Sequence, residues 1–133
     1  MTPLRVASTL PSALESLVER VIGCCLAVHR ELGPGLSESV YQRACRIEFE
    51  YSGLTVDIER PVPIRYRGQV ICTQRIDVLV ERQVIVEVKS VERIHAVHVA
   101  QAVSYLRATG LRIALVVNFN VSFLKEGIRR VVL

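Results

Sequence analysis

Between Ser12 and Leu32 apolar residues recur at helical spacing, and through Leu17, Val18, Val21, Ile22, Cys24, Cys25 and Leu26 they occupy nearly the whole circumference. A helix of that kind is buried on more than one side. Ser12 followed by Glu15 reads as a capping box at its start, and Gly33-Pro34-Gly35 closes it. A second helix is predicted from an N-cap at Ser37 to Gly53, carried by Val40, Ala44, Ile47 and Tyr51 at helical spacing.

From Leu54 the period shortens. Leu54 to Glu59 and Val62 to Tyr66 read as an extended arm interrupted by Pro61 and Pro63, which suits the edge of a sheet. Arg67-Gly68 turns the chain, and Val70 to Val80 and Val84 to Lys89 form a hairpin around Glu81-Arg82-Gln83. A helix from about Ile94 to Thr109, stopped by Gly110, leads to a buried strand, Ile113 to Asn118. A turn at Lys125-Glu126-Gly127 precedes a short last strand, Ile128 to Val132. The order predicts an α/β fold, a central mixed sheet with helices on both faces. At 133 residues, half of them apolar, one domain spanning 1–133 is expected, with residues 1–11 as a flexible tail.

Three charges interrupt the apolar strands: Asp77, then Glu87 and Lys89. Charges in such strands need pairing, hydrogen bonds or a metal, because an isolated buried charge is strongly disfavoured. Side chains alternate along a strand, so Ile76, Val78 and Val80 are expected on one face and Asp77 with Leu79 on the other; Ile85, Glu87 and Lys89 share a face of the next strand. A three-residue loop, Glu81 to Gln83, sets Asp77 opposite Glu87 and gathers all three charges, whereas a two-residue loop puts Asp77 on the far side. Two carboxylates that close repel unless a cation lies between them. Oxygen ligands of this kind suit Mg²⁺ or Mn²⁺ and a substrate phosphate, and a neighbouring ammonium can stabilise charge as a phosphodiester is cut. The competing reading of the same pattern is a half-exposed salt-bridge cluster.

Composition narrows the setting. No apolar run reaches the roughly 20 residues of a membrane span; Val21 to Val28 ends at His29. Met1 to Pro11 makes a poor signal-peptide core, so a cytoplasmic location without membrane association is expected. Cys24, Cys25, Cys45 and Cys72 show no CxxC spacing and read as reduced thiols. The net charge of +4 is compatible with a polyanion without demonstrating one. Against 15 Arg there are only 2 Lys, which sets Lys89 apart. Lysine is a compact, movable point charge whose pKa responds to its surroundings. Arg65 and Arg67 alternate onto one strand face, where they can meet phosphates or form a solvated edge.

Asp77 followed ten residues later by Glu87-x-Lys89, within this element order, resembles the PD-(D/E)xK nuclease superfamily and its restriction-endonuclease-like core. Gly35-Leu36-Ser37-Glu38-Ser39-Val40-Tyr41 is similar to the defining motif of the GxxExxY proteins, a group assigned to that superfamily. His29-x-x-Leu32-Gly33-Pro34-Gly35, His98-x-x-Gln101-x-x-x-Tyr105-Leu106, Thr109-Gly110 and Asn118-Phe119 leading to Leu124-Lys125 extend the likeness over about residues 12 to 133. Ile76 stands where a proline often precedes the aspartate.

The resemblance implies a Mg²⁺ or Mn²⁺ site of Asp77 and Glu87, aided by the Val88 carbonyl, with Lys89 as catalytic lysine. Glu38 corresponds to an acid that many members carry on the first core helix, as a catalytic group and metal ligand; otherwise it is an acid favoured by the helix dipole. Gln101 and Tyr105, one turn apart, with His98 three residues before Gln101, share a face, like the QxxxY motif of RecB-like nucleases. Gln101 then touches substrate or a metal-bound water, and Tyr105 and His98 lie at the substrate, although a core aromatic explains Tyr105 equally well. The implied activity is hydrolysis of nucleic acid, DNA before RNA, by an endonuclease or exonuclease acting as a homodimer. A nuclease-derived module that binds nucleic acid or protein without cutting is the alternative.

Overall fold

A computed structural model describes residues 9–133. Helix α1 spans Ser12–Leu32 and α2 Glu38–Tyr51; strands β1 (Val56–Tyr66), β2 (Gln69–Val80) and β3 (Val84–Lys89) follow. Then come α3 (Ala96–Thr109), β4 (Ile113–Asn118), a 3-10 turn at Leu124–Gly127 and β5 (Ile128–Val132). The five strands lie in the order β1-β2-β3-β4-β5. All neighbours are antiparallel except β3 and β4, which run parallel and are joined through α3.

Two cores sandwich this mixed sheet. Val18, Val21 and Cys25 of α1 and Tyr41, Cys45 and Phe49 of α2 pack on Val78, Val84, Val86, Val88 and Leu115. On the other face, Ala102, Tyr105 and Leu106 of α3 pack on Leu79, Ile85, Ala114 and Val116. β4 is buried along its whole length, as a central strand covered on both sides must be.

Several local details depart from the sequence reading. α1 starts from Pro11 without a side-chain cap, and the Glu15 carboxylate is held instead by both Nη atoms of Arg130 at 2.9 and 2.5 Å. A bidentate guanidinium partner outcompetes a local cap. The Val40, Ile47, Tyr51 stripe identifies α2 but stays exposed; the buried side is Tyr41, Cys45 and Phe49. β1 is one continuous edge strand through Pro61 and Pro63. Prolines two residues apart leave their missing N–H groups on the same side of the strand, which an edge can turn to solvent. α3 begins two residues late because His98 Nδ1 accepts the His95 N–H at 3.0 Å and fixes His95 as N-cap. Residues 1–8 of the expected tail lie outside the described residues, while Leu10 is buried in the α1 side of the core.

The departure that shapes the site is in β2. Ile76 joins the α3-side core with Leu79, not the α1 side with Val78 and Val80. Strict alternation fails here because the β1–β2 ladder lapses between the pairs Ile58–Val78 and Arg60–Ile76, where Glu59 adopts φ 51°. A positive φ at a non-glycine residue breaks the extended repeat. The β1–β2 ribbon swings at this point, and Asp77 sits at the bend.

Candidate active site

The β2–β3 pairs Val80–Val84, Leu79–Ile85 and Val78–Val86 enclose the three-residue loop Glu81 to Gln83. The regular pairing ends at Val78–Val86, and Asp77 and Glu87 are the next residues in that register, joined through their side chains. Asp77 Oδ2 accepts the Val88 N–H at 2.9 Å, and the Asp77 N–H donates to Glu87 Oε1 at 3.4 Å. At this end of the pair, carboxylates therefore take main-chain donors that lie beyond the last regular strand pairing.

Glu87 is only 2% exposed. Burial, the Asp77 charge and its hydrogen bond to Asp77 push its pKa up to about 8, against the smaller opposing pull of Lys89. Lys89 follows on the same side of β3, half-buried. Among the described residues the ion pairs within 4.0 Å involve neither Lys89 nor these two carboxylates. The salt-bridge reading of the motif is thereby not what the geometry shows: the ammonium stands near the acids but is not locked onto either.

Glu38 opens α2 and is exposed, its Oε2 accepting the Ser90 N–H at 3.1 Å. Ser90 Oγ also donates to the Leu36 carbonyl at 2.6 Å. The α2 end is thus pinned to the residue after Lys89. Among the described residues no three His, Cys, Asp or Glu side chains group closely enough to hold an ion, so Glu38 reaches the rim without joining Asp77 and Glu87. The donor set on hand is two carboxylates, one of them buried with its ionised form disfavoured. That chemistry fits a divalent cation, whose charge favours both ionised forms. The Val88 N–H is committed to Asp77.

From α3, Tyr105 is 3% exposed, with its pKa pushed up to about 12 by burial and by the charges of Glu87 and Asp77, while its hydrogen bond with Gln101 acts the other way. It stays a neutral donor. His98 has its pKa lowered by desolvation and by the Lys89 and His95 charges, despite Glu38. With Nδ1 accepting, the neutral ring carries its proton on Nε2. His98, Gln101 and Tyr105 line one cleft with Ile64, Cys72 and Gln74 of the ribbon. Arg65 lies farther along, exposed, donating to the Gly68 carbonyl at 3.4 Å. Arg67 stands in the exposed turn at the ribbon tip with φ 48°, away from that cleft.

Of the other residues that shape the site, Gln42 was not singled out by the sequence, whereas Asn118, Tyr41 and His29 entered only as members of its motifs. Gln42, one turn after Glu38, donates to the Asp77 carbonyl at 3.1 Å. Its spacing from Glu38 was the available signal. Asn118 is 1% exposed and grips Val91 from both sides: Oδ1 accepts the Val91 N–H at 3.0 Å and Nδ2 donates to its carbonyl at 2.9 Å. Tyr41 stacks on Phe119 with centroids 4.6 Å apart. Its hydroxyl donates to the Gly33 carbonyl and accepts the Leu36 N–H. The glycine-to-tyrosine motif is thus a buttress for the loop that presents Glu38. His29, whose Nε2 lies 2.8 Å from the Val121 carbonyl, braces the same corner.

A five-stranded mixed sheet between helices, with an Asp and a Glu-x-Lys converging where the sheet opens, defines a restriction-endonuclease-like α/β protein. The chain belongs to the PD-(D/E)XK nuclease superfamily, whose family model matches residues 15–131. No curated protein and no solved structure matches it significantly. No helix among the described residues is long and apolar enough to cross a membrane.

Proposed function

We propose that this protein is a divalent-metal-dependent nuclease, of the GxxExxY type, that hydrolyses phosphodiester bonds in nucleic acid, DNA before RNA. The observation that carries the reading is the buried Glu87 carboxylate beside Asp77, with Lys89 in no ion pair among the described residues. Such an arrangement is costly to a fold unless function uses it.

Asp77 and Glu87 hold Mg²⁺ or Mn²⁺, with the Val88 carbonyl and Glu38 at its margin. When bound, the ion supplies an acidified water and charge neutralisation at a phosphoryl oxygen. Lys89 offers a movable cation to the charge that develops on the phosphate. Gln101, oriented by Tyr105, and the His98 Nε2–H donate toward the strand. The Ser90 and Asn118 contacts keep the Lys89 backbone in place. Action as a cytoplasmic homodimer belongs to the same proposal, and sedimentation equilibrium checks the dimer.

The second reading, a binding module that does not cut, draws on the position of Glu38, which is turned to Ser90. Linear, nicked and branched DNA and structured RNA incubated with Mg²⁺ or Mn²⁺ separate the two. Cleavage that requires metal and disappears in Asp77→Asn and Lys89→Ala supports the nuclease; binding without metal-dependent cleavage supports the module.

A further inference from the structure

Three concavities run side by side along α3. The first, about 460 Å³, begins at His98, Gln101 and Tyr105 and shares Ile64 and Ser104 with a second of about 430 Å³ that reaches Arg65 and Arg107. The second shares Pro63 and Ala108 with a third of about 270 Å³, bordered by Arg60 and Arg82. Together they form a trough between α3 and the β1–β2 ribbon, one end lined by Tyr105, which feels the charges of Glu87 and Asp77. The ribbon makes this wall because of the bend at Glu59 and Asp77, which carries Ile64, Cys72 and Gln74 over to the α3 side.

Its charge is one-sided. The chain has 13 Asp and Glu, yet none lines any of the three concavities, whereas four arginines do. Arg60 and Arg82 share Asp57 at 3.3 and 4.0 Å. Arg65 and Arg107, both exposed, pair with no carboxylate among the described residues. Unpaired guanidiniums above an apolar floor suit a phosphate backbone with its bases laid inward.

Size decides which polyanion. Concavities of 270 to 460 Å³ are on the scale of small-ligand pockets. Concavities of that size admit one backbone with its bases, whereas a duplex, which keeps two backbones apart across its grooves, would rest on their rim. From His98 to Thr109 α3 rises about 16 Å, room for a short stretch of one strand.

Resting on the nuclease reading for what happens at its end, we infer that the trough is a track for a single nucleic-acid strand. The scissile phosphate lies at Asp77 and Glu87 and the continuing strand passes Gln101 and Ser104 to Arg107 and Arg65. The favoured substrate is therefore one with a single-stranded tail.

Cys72 provides the test, since it lies in the trough and is exposed while Cys24, Cys25 and Cys45 are buried. Maleimide labelling of the full chain is followed with a 12-nucleotide oligo-dT, a 12-nucleotide oligo-U and a blunt 12-base-pair duplex, alongside metal-dependent cleavage of tailed DNA. A single strand, oligo-dT or oligo-U, is expected to slow Cys72 labelling at least tenfold and the duplex to leave it unchanged. Arg65→Ala with Arg107→Ala is expected to weaken strand binding at least tenfold. The same pair should lower the salt slope by about 1.4, while Arg30→Ala on α1 changes neither.

Strand binding that leaves Cys72 fully reactive, equal protection by the duplex, or indifference to the double substitution overturns the track. If Lys89-dependent cleavage persists in any of those cases, the nuclease reading stands. Conversely, Cys72 protection without metal-dependent cleavage upholds the track and removes the nuclease.

Discussion

Asp77 and Val88 meet across the open end of the β2–β3 pair, the aspartate Oδ2 accepting the valine N–H at 2.9 Å. One side chain thus does two jobs: it replaces a lost ladder hydrogen bond and brings a second carboxylate to Glu87. Structure and chemistry are coupled at this position, and the coupling decides which substitutions separate them.

Asp77→Asn keeps an acceptor for Val88 and removes the charge. The fold should be retained, with an unchanged far-ultraviolet circular dichroism spectrum. Metal-dependent cleavage should fall by at least ~100-fold, the scale of losing one preorganised electrostatic group. Asp77→Ala also strips the acceptor and should cost an additional ~1–3 kcal/mol of stability in urea denaturation. Equal cleavage in wild type and Asp77→Asn would sink the assignment.

Glu87 gives a pH signature. Its pKa is about 8 in the folded chain against 4.5 ordinarily. Between those values the folded protein retains a proton that the unfolded chain has released. The stability this group contributes in EDTA is therefore fully present below the lower value and is lost as pH rises to about 8, by on the order of 5 kcal/mol at ~1.36 kcal/mol per pH unit. Urea midpoints at pH 5.5, 7 and 8.5 should fall in sequence. Glu87→Gln should flatten that decline, and saturating Mg²⁺ should reduce it in the wild type alone.

Tyr41 separates packing from polar bracing. Tyr41→Phe keeps the ring on Phe119 and leaves the Gly33 carbonyl and Leu36 N–H without their partner, which should cost ~1–2 kcal/mol. Tyr41→Ala also empties a fully buried site and should cost ~3–5 kcal/mol. If the loop from Gly33 to Ser37 is the support of Glu38, its amides should exchange faster with deuterium in Tyr41→Phe than in the wild type.

Gly127 is held against the Asn118 carbonyl, where an added Cβ would lie 2.3 Å from that oxygen. Backbone cannot yield as a flexible side chain does. Gly127→Ala should destabilise by ~1–3 kcal/mol, and its effect should appear around Val91 through the Asn118 grip. A neutral Gly127→Ala midpoint would contradict this packing.

The element order was legible along the chain because each element carries its own period, helical in α1 and near-continuous apolar in β3 and β4. The site's central trio was legible for a related reason: Asp77, Glu87 and Lys89 violate an otherwise apolar pattern, and one loop length placed them together. The Ser12–Glu15 capping box was misread because Ser12 already lies inside the helix, which opens from Pro11, and Arg130, 115 residues away, meets the Glu15 carboxylate. The buried side of α2 was missed because Tyr41 and Cys45 are less conspicuous than Val40 and Ile47.

What the sequence determined by itself was therefore local: helix and strand periods, the hairpin register and the three charges that register gathers. Tertiary structure alone decided the bend at Glu59, the passage of Ile76 to the α3 side, the hold of Ser90 on Glu38 and the trough along α3. These depend on contacts between segments far apart in the chain, whose energies outweigh local preference only once both partners are in place.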